Sequence, residues 1–215
     1  MVLHRRNFDE RTDRIRVQEM QRNEDPYHQR YPIVVGVDEV GRGPLAGPVY
    51  AACVVLPRDL YLPKLNDSKK LSEDERFDLA DLILRKALYY SYGYASVEEI
   101  DRLNILQASM LAMQRAVSKL PVIPDFILVD GNKLPLWEHE SLAIIGGDGI
   151  MPSIAAASII AKAKRDHLMR VLAEYEPRYG FERHKGYGTK MHYEALEAYG
   201  PSILHRMTFL KGLAR

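Results

Sequence analysis

The 215-residue sequence has a single cysteine, Cys53, which rules out an internal disulfide and any zinc site built on paired thiolates. Cys53 lies in the apolar run Val49 to Leu56, where a small buried hydrophobe is the expected role. No apolar run approaches the ~18 residues of a membrane span, and the N-terminus is charged where a secretory signal needs an apolar stretch. Cytoplasmic residence is the expectation. Internal repeats and low-complexity tracts are lacking. An excess of one charge is lacking too, with 30 Lys and Arg against 29 Asp and Glu, but this balance hides a gradient. Residues 160–215 carry 11 basic and 6 acidic side chains, so acids dominate elsewhere. That split fits a phosphate-gripping tail beside an acidic, cation-binding site, and equally a solvated surface with no partner. Hydrophobic residues at 47% and charged residues at 27% describe an ordinary globular chain.

Residues 1–31 mix both charge signs and have few large apolar side chains, which predicts a frayed or weakly helical arm. From Pro32 the pattern changes. Ile33 to Val37 and Pro48 to Leu56 read as neighbouring buried strands, residues 87–95 as a third, Phe126 to Val129 as a fourth and Leu142 to Ile145 as a fifth. Ser72 with Glu75 forms a capping box that opens a helix, and Ser96 is a second N-cap for helical patterning that runs on to Leu120. Ser153 to Tyr175 reads as a long helix whose run of alanines suits close packing on a sheet, followed by helical segments to the C-terminus. Strands alternating with helices predict an α/β fold with a mixed central sheet flanked by helices. The division is an arm, 1–31, and a domain, 32–215, whose last part (about 176–215) is a helical extension.

Acids fall at the strand ends. Asp38 and Glu39 close the first strand, Asp130 closes the fourth, and Asp148 follows the fifth. Side chains on a regular strand alternate between faces, so a cooperating Asp38–Glu39 pair predicts that the chain leaves strand geometry there, with Gly41 and Gly43 permitting the turn. If the three strands are neighbours, four carboxylates converge. Without cations they would repel one another, and hard oxygen ligands free of His and Cys suit magnesium or manganese. Two such ions roughly 3.5–4 Å apart suit phosphodiester hydrolysis. Each acid also has a plain reading as a turn residue or solvated strand end.

Gly36-Val37-Asp38-Glu39-Val40-Gly41-Arg42-Gly43-Pro44-Leu45-Ala46-Gly47-Pro48 closely resembles the opening motif of the type 2 ribonucleases H, the bacterial ribonuclease HII enzymes. Leu65 to Leu71, Leu128 to Asn132, Ala155 to Lys162 and His184 to Thr189 follow in the family's order. The resemblance implies a ribonuclease H-like fold with a C-terminal helical extension, and Asp38, Glu39, Asp130 and Asp148 as catalytic ligands of Mg2+ or Mn2+. It further implies that Gly41-Arg42-Gly43 and Tyr187 read a ribonucleotide at an RNA–DNA junction. Cleavage on the 5′ side, in RNA–DNA hybrids or at ribonucleotides within duplex DNA, would leave 3′-hydroxyl and 5′-phosphate ends. Separately from the resemblance, the basic last quarter offers Lys162, Lys164, Arg165, Arg183 and Lys185 to phosphates, and Lys69 is a further candidate for substrate binding. A monomer is expected. One departure is Gly146-Gly147-Asp148-Gly149, where relatives commonly carry Lys-Gly-Asp-Ser, which predicts a looser fourth station. The Gly-Arg-Gly turn and the short arm disfavour the type 3 enzymes. Two other readings are a junction-binding protein without turnover and a structure-selective DNA nuclease. The retained acids weigh against the first, and Gly41-Arg42-Gly43 with Tyr187 against the second.

Overall fold

In the computed structural model, residues 9–66, 68 and 71–211 are described. The β-branched runs form β1 (Val34–Val40) and β2 (Val49–Val55), joined by β3 (Tyr89–Ala95), β4 (Phe126–Asp130) and β5 (Ser141–Ile144). Their order in the sheet is β3-β2-β1-β4-β5. The first three strands make an antiparallel meander, while β4 pairs parallel with β1 and β5 parallel with β4. This is the mixed sheet that the alternation of elements predicts.

Helices cover both faces, which is why β1, β2 and β4 are apolar almost without interruption. On one face lies α5 (Pro152–Tyr175), whose Ala155, Ala156, Ile159 and Ile160 share a core cluster with Ala52 and Val54 of β2 and with Ile83 of α2 (Glu73–Lys86). On the other, α4 (Ile105–Ser118) presents Ala108, Ala112 and Met113 to Val35, Val37, Cys53 and Val129. Small residues set the spacing. A Cβ built on Gly36 would stand 2.1 Å from the carbonyl carbon of Ser153, so the N-terminal turn of α5 rests directly on β1. Beyond α5, α6 (Phe181–His184) and α7 (Lys190–Tyr199) build a small satellite core on Met169, Tyr179 and Phe181. Among the described residues no helix is long and apolar enough to cross a membrane.

Two sequence expectations are corrected. Of the frayed or weakly helical arm expected over residues 1–31, residues 1–8 lie outside the described residues and the rest is helical but neither frayed nor free of the core: α1 (Glu10–His28) is a 19-residue helix, capped by Asp9, with Val17 and Met20 in the same core cluster as α5. Its anchors are mostly polar, which hides them from a hydrophobicity pattern. Asp13 and Glu24 are both buried, and Asp13 accepts hydrogen bonds from the Tyr61 hydroxyl at 2.8 Å and the Lys64 amide at 2.9 Å. The helix expected from Ser96 to Leu120 is broken at Asn104. Asn104 takes φ +72°, ends α3 (Val97–Leu103) and caps α4 through its side-chain oxygen on the amides of Leu106 and Gln107. Asparagine tolerates the left-handed region and is a preferred N-cap, so one residue ends one helix and starts the next.

Gly36→Ala is expected to lower stability by about 1–3 kcal/mol, because the added methyl must push α5 away from β1. Urea denaturation of the variant measures this, and an unchanged midpoint would contradict the close approach.

Candidate active site

The parallel register places the acids. Val37 stands opposite Val129, so the next residues, Asp38 and Asp130, sit side by side at the C-terminal ends of β1 and β4. Asp130 in turn pairs with Ile144 of β5, and a 3-10 turn, Gly147–Gly149, carries Asp148 back toward them. Asp38 and Glu39 remain inside a regular strand, opposite Ala52 and Ala51 of β2, which corrects the expectation that the chain leaves strand geometry at this pair. Alternation therefore sends Asp38 to the α5 face and Glu39 toward the opposite one. Both still belong to one electrostatic group, because the pair is at the rim where the sheet ends.

Asp38 is buried, and burial followed by the charges of Glu39, Asp130 and Asp148 raises its pKa well above the ordinary carboxylate value. A hydrogen bond from Ser158 of α5 opposes this rise. Ser158 is in turn 3.1 Å from the hydroxyl of Ser68. Burial also raises Glu39, with Arg42 pulling it back and Asp130 pushing it up; Arg42 Nη1 lies 3.2 Å from Glu39 Oε1. Asp130 Oδ1 is buried with no hydrogen-bond partner. Among the described residues no group of three or more His, Cys, Asp or Glu side chains is placed to hold a metal ion as the side chains stand. An orphaned carboxylate oxygen within an all-oxygen donor set fits a hard divalent cation.

The loop after β1 is held from inside the protein. Gly41 has φ +93°, and a Cβ there would meet Arg165 Nε at 2.2 Å. Arg165 donates to the carbonyls of Pro48, Lys185 and Ala46 at 3.0, 2.9 and 3.1 Å. Arg206 donates to those of Gly47, Arg42 and Gly41 at 2.9, 2.9 and 2.6 Å. Both arginines are completely buried. Burial, with Arg165 alongside, lowers Arg206 to about 9, so it stays protonated at neutral pH. Six carbonyls thus point inward around two cations, leaving Arg42 and Gly43 at the surface. The half-exposed Tyr187 ring lies 3.7 Å from the point where a Gly43 Cβ would stand, so the turn and the loop tyrosine meet.

The basic residues divide. Arg165 is a brace, which corrects its sequence reading as a cation available to phosphate. Lys162 is hydrogen-bonded to Asp166 and partly buried. Lys185 is also buried, with Nζ 3.1 Å from Glu73 and bonded to the Glu182 carbonyl. Lys164 and Arg183 are exposed. Lys69 lies outside the described residues.

A mixed sheet with carboxylates gathered at the C-terminal ends of its parallel strands defines a class of acidic-site α/β proteins, and comparison with known proteins narrows it. The family profile described as Ribonuclease HII matches residues 35–211. Ribonuclease HII of Nitrosospira multiformis is 53% identical over 179 residues, which is 83% of this chain and 90% of that protein. Ribonuclease HII of Caldanaerobacter subterraneus subsp. tengcongensis is 44% identical over 201 residues, 93% of this chain and 83% of that one. Among solved structures, ribonuclease H2 from Pyrococcus horikoshii OT3 superposes with a TM-score of 0.67 at 26% identity, covering 82% of this chain and 93% of the other. Bst-RNase HIII in complex with Mn2+ shares the fold, with a TM-score of 0.62 at 19% identity, covering 82% and 67%. The chain belongs to the ribonuclease HII family. It is therefore a ribonuclease H, an endonuclease of a divalent-metal-dependent family that acts on RNA–DNA hybrids.

Three buried histidines that sequence reading missed support the Tyr187 loop. A carbonyl only accepts, so the 2.9 Å contact of His192 Nδ1 with the Tyr187 carbonyl puts the proton on Nδ1. The Ser202 amide donates to His205 Nδ1 at 2.9 Å, which leaves His205 protonated on Nε2 and donating to His192 Nε2 at 3.0 Å. By the same logic His184 donates from Nε2 to the Tyr179 carbonyl at 2.7 Å and accepts the Gly186 amide at 3.2 Å. All three are neutral in this network. Burial and the neighbouring His192 lower His205 to about 4. A base whose pKa falls on folding binds fewer protons in the native chain than in the unfolded one. The resulting stabilisation is complete above pH 6.5, the ordinary histidine value, and is lost as pH falls toward about 4. Thermal unfolding between pH 7 and pH 4 is expected to show a falling midpoint, and His205→Gln is expected to flatten that fall. An equal fall in the variant would remove His205 from the cause.

Proposed function

We propose that this chain hydrolyses the phosphodiester on the 5′ side of a ribonucleotide, in RNA–DNA hybrids or embedded in duplex DNA, leaving 3′-hydroxyl and 5′-phosphate ends. The observation that carries this reading is the adjacent pair Asp38 and Asp130, with an unpartnered buried oxygen on one and a raised pKa on the other. Asp38, Glu39, Asp130 and Asp148 hold Mg2+ or Mn2+. When bound, two such ions supply the charge that activates water and stabilises the leaving oxygen. The protein's own part is to gather the four acids, keep Asp38 dry, and orient it through Ser158.

Gly41-Arg42-Gly43 and Tyr187 read the ribonucleotide. With Arg165 and Arg206 drawing the loop carbonyls inward, the outer side of the turn is left to meet the sugar, where the 2′-hydroxyl separates RNA from DNA. The Tyr187 ring beside Gly43 is placed to stack on that nucleotide. Exposed Lys164 and Arg183 meet phosphates of the duplex. Lys69 completes the substrate set. Lys185 reaches a phosphate only by exchanging Glu73, so its part is to anchor the loop. The chain works as a monomer in the cytoplasm.

Two DNA duplexes that differ only by one 2′-hydroxyl test the reading with magnesium present. A site built to hydrogen-bond that hydroxyl rejects its absence by roughly 10⁴–10⁵ in kcat/KM. Cleavage at the 5′ phosphodiester of the ribonucleotide alone is expected; equal cutting of both duplexes would favour a structure-selective DNA nuclease. Folded Asp130→Asn is expected to lose roughly 100-fold or more in kcat, since one carboxylate serves a shared site. Near-normal turnover would remove Asp130 from the mechanism. Tyr187→Ala is expected to slow the single-ribonucleotide substrate more than Tyr187→Phe does, and equal losses would assign the role to the hydroxyl instead of the ring.

A further inference from the structure

The fourth acid sits on an unusually bare turn. Gly146, Gly147 and Gly149 surround Asp148, and a Cβ on Gly146 or Gly149 would meet nothing within 4 Å. With glycine at three of its four positions, such a segment has a large conformational entropy to lose on folding. The turn is instead continuous with the start of α5, because the Gly147 carbonyl accepts the amides of Ile150 at 3.1 Å and Met151 at 2.8 Å. That start is itself uncapped from within: Met151 is the N-cap and offers no side-chain hydrogen bond.

Support from outside this segment comes from α1. Glu24, 1% exposed, accepts the Ser153 amide at 3.0 Å and the Ser153 hydroxyl at 2.8 Å on Oε2, and its Oε1 lies 3.1 Å from His28 Nε2. From the preceding, exposed position of the same helix, Asn23 Nδ2 donates to the Ile150 carbonyl at 3.1 Å. These contacts fall two and five residues after Asp148. The helix that makes them is fixed independently, by Val17 and Met20 in the core and by Tyr27 stacked on Phe126, the first residue of β4 that leads to Asp130. It also lies outside the segment, 35–211, that the family profile matches.

We infer that α1 is a positioning element of the active site, and that Glu24 and Asn23 hold the Asp148 turn in the place where its carboxylate joins Asp38 and Asp130 around a cation. The inference rests on the metal-dependent reading given above. It makes the N-terminal helix part of the metal site without touching the metal or the substrate. A carboxylate that caps α5 from another helix couples the docking of α1 to the order of the turn.

The test is the magnesium concentration that gives half-maximal cleavage, measured beside the KM for duplex. Supporting shells of metal sites alter metal affinity by roughly 10–100-fold, so Glu24→Ala is expected to raise the half-saturating magnesium about 10-fold, with KM for duplex within about twofold. Glu24→Gln retains an acceptor for Ser153 and is expected to restore most of the affinity. Asn23→Ala, at the exposed edge, is expected to move in the same direction by a smaller factor, and it decides the matter if Glu24→Ala does not fold. Glu19→Gln on the outer face of α1 is the control and is expected to change nothing. Calorimetric Mn2+ titration gives a readout free of turnover: in an Asp148→Asn background, Glu24→Ala is expected to leave affinity unchanged, because both act through one ligand. Unaltered magnesium response in Glu24→Ala, or in Asn23→Ala where Glu24→Ala is unfolded, would overturn the inference, as would equal losses of Mn2+ affinity in the presence and absence of Asp148. Wild-type protein with no metal-dependent cleavage would instead overturn the functional reading itself.

Discussion

Repulsion among carboxylates is the constraint around which this molecule is arranged. Adjacent parallel strands bring Asp38 and Asp130 to one level, and Glu39 and Asp148 act on the same electrostatic group. Such a cluster opposes folding unless a cation or a proton neutralises it. The sheet accepts that cost because its apolar strands, covered on both faces by α4 and α5, fix the strand ends independently of the acids.

The elements around the cluster follow from the same need. Ser158 orients Asp38 from α5, whose alanine-rich face and the bare Gly36 beneath it let the helix lie close enough to do so. Arg165 and Arg206 place two buried cations behind the Gly41–Pro48 loop, where five carbonyls of the loop and that of Lys185 satisfy them. A buried charge is tolerable only when its donors are so occupied. Neutral histidines perform the matching task for the loop of Tyr187, since a third cationic group there would add to the charge already buried. Lys185 and Glu73 tie that loop to α2.

The sheet and its acids were legible in the sequence because their signals are local. β-branched runs bounded by proline and glycine mark the strands, and Asp130-Gly131 and the glycines around Asp148 mark where strands end. The capping box at Ser72 and the N-cap at Ser96 are legible for the same reason, and the structure completes the second with Glu99 into a capping box as well. What escaped depends on partners distant in sequence. Arg165 resembles any surface cation until the fold brings the carbonyl of Ala46 to it, and α1 resembles a charged tail until Asp13 and Glu24 find their donors. Asn104 escaped for another reason: continuous apolar periodicity on both sides concealed a left-handed residue. The strand geometry kept by Asp38 and Glu39 shows that alternation need not separate two acids functionally when they stand at the rim of a sheet.

The central claim, that these carboxylates form one cation site at the expense of stability, is tested most directly by thermal unfolding of the wild type and Asp130→Asn with and without Mn2+. An ion that binds only the native state raises its stability in proportion to the logarithm of its concentration. The account predicts that metal-free Asp130→Asn is more stable than the metal-free wild type, through relief of repulsion, and that Mn2+ raises the midpoint of the wild type but scarcely that of the variant. A variant that is less stable without metal and still gains fully from Mn2+ would contradict it.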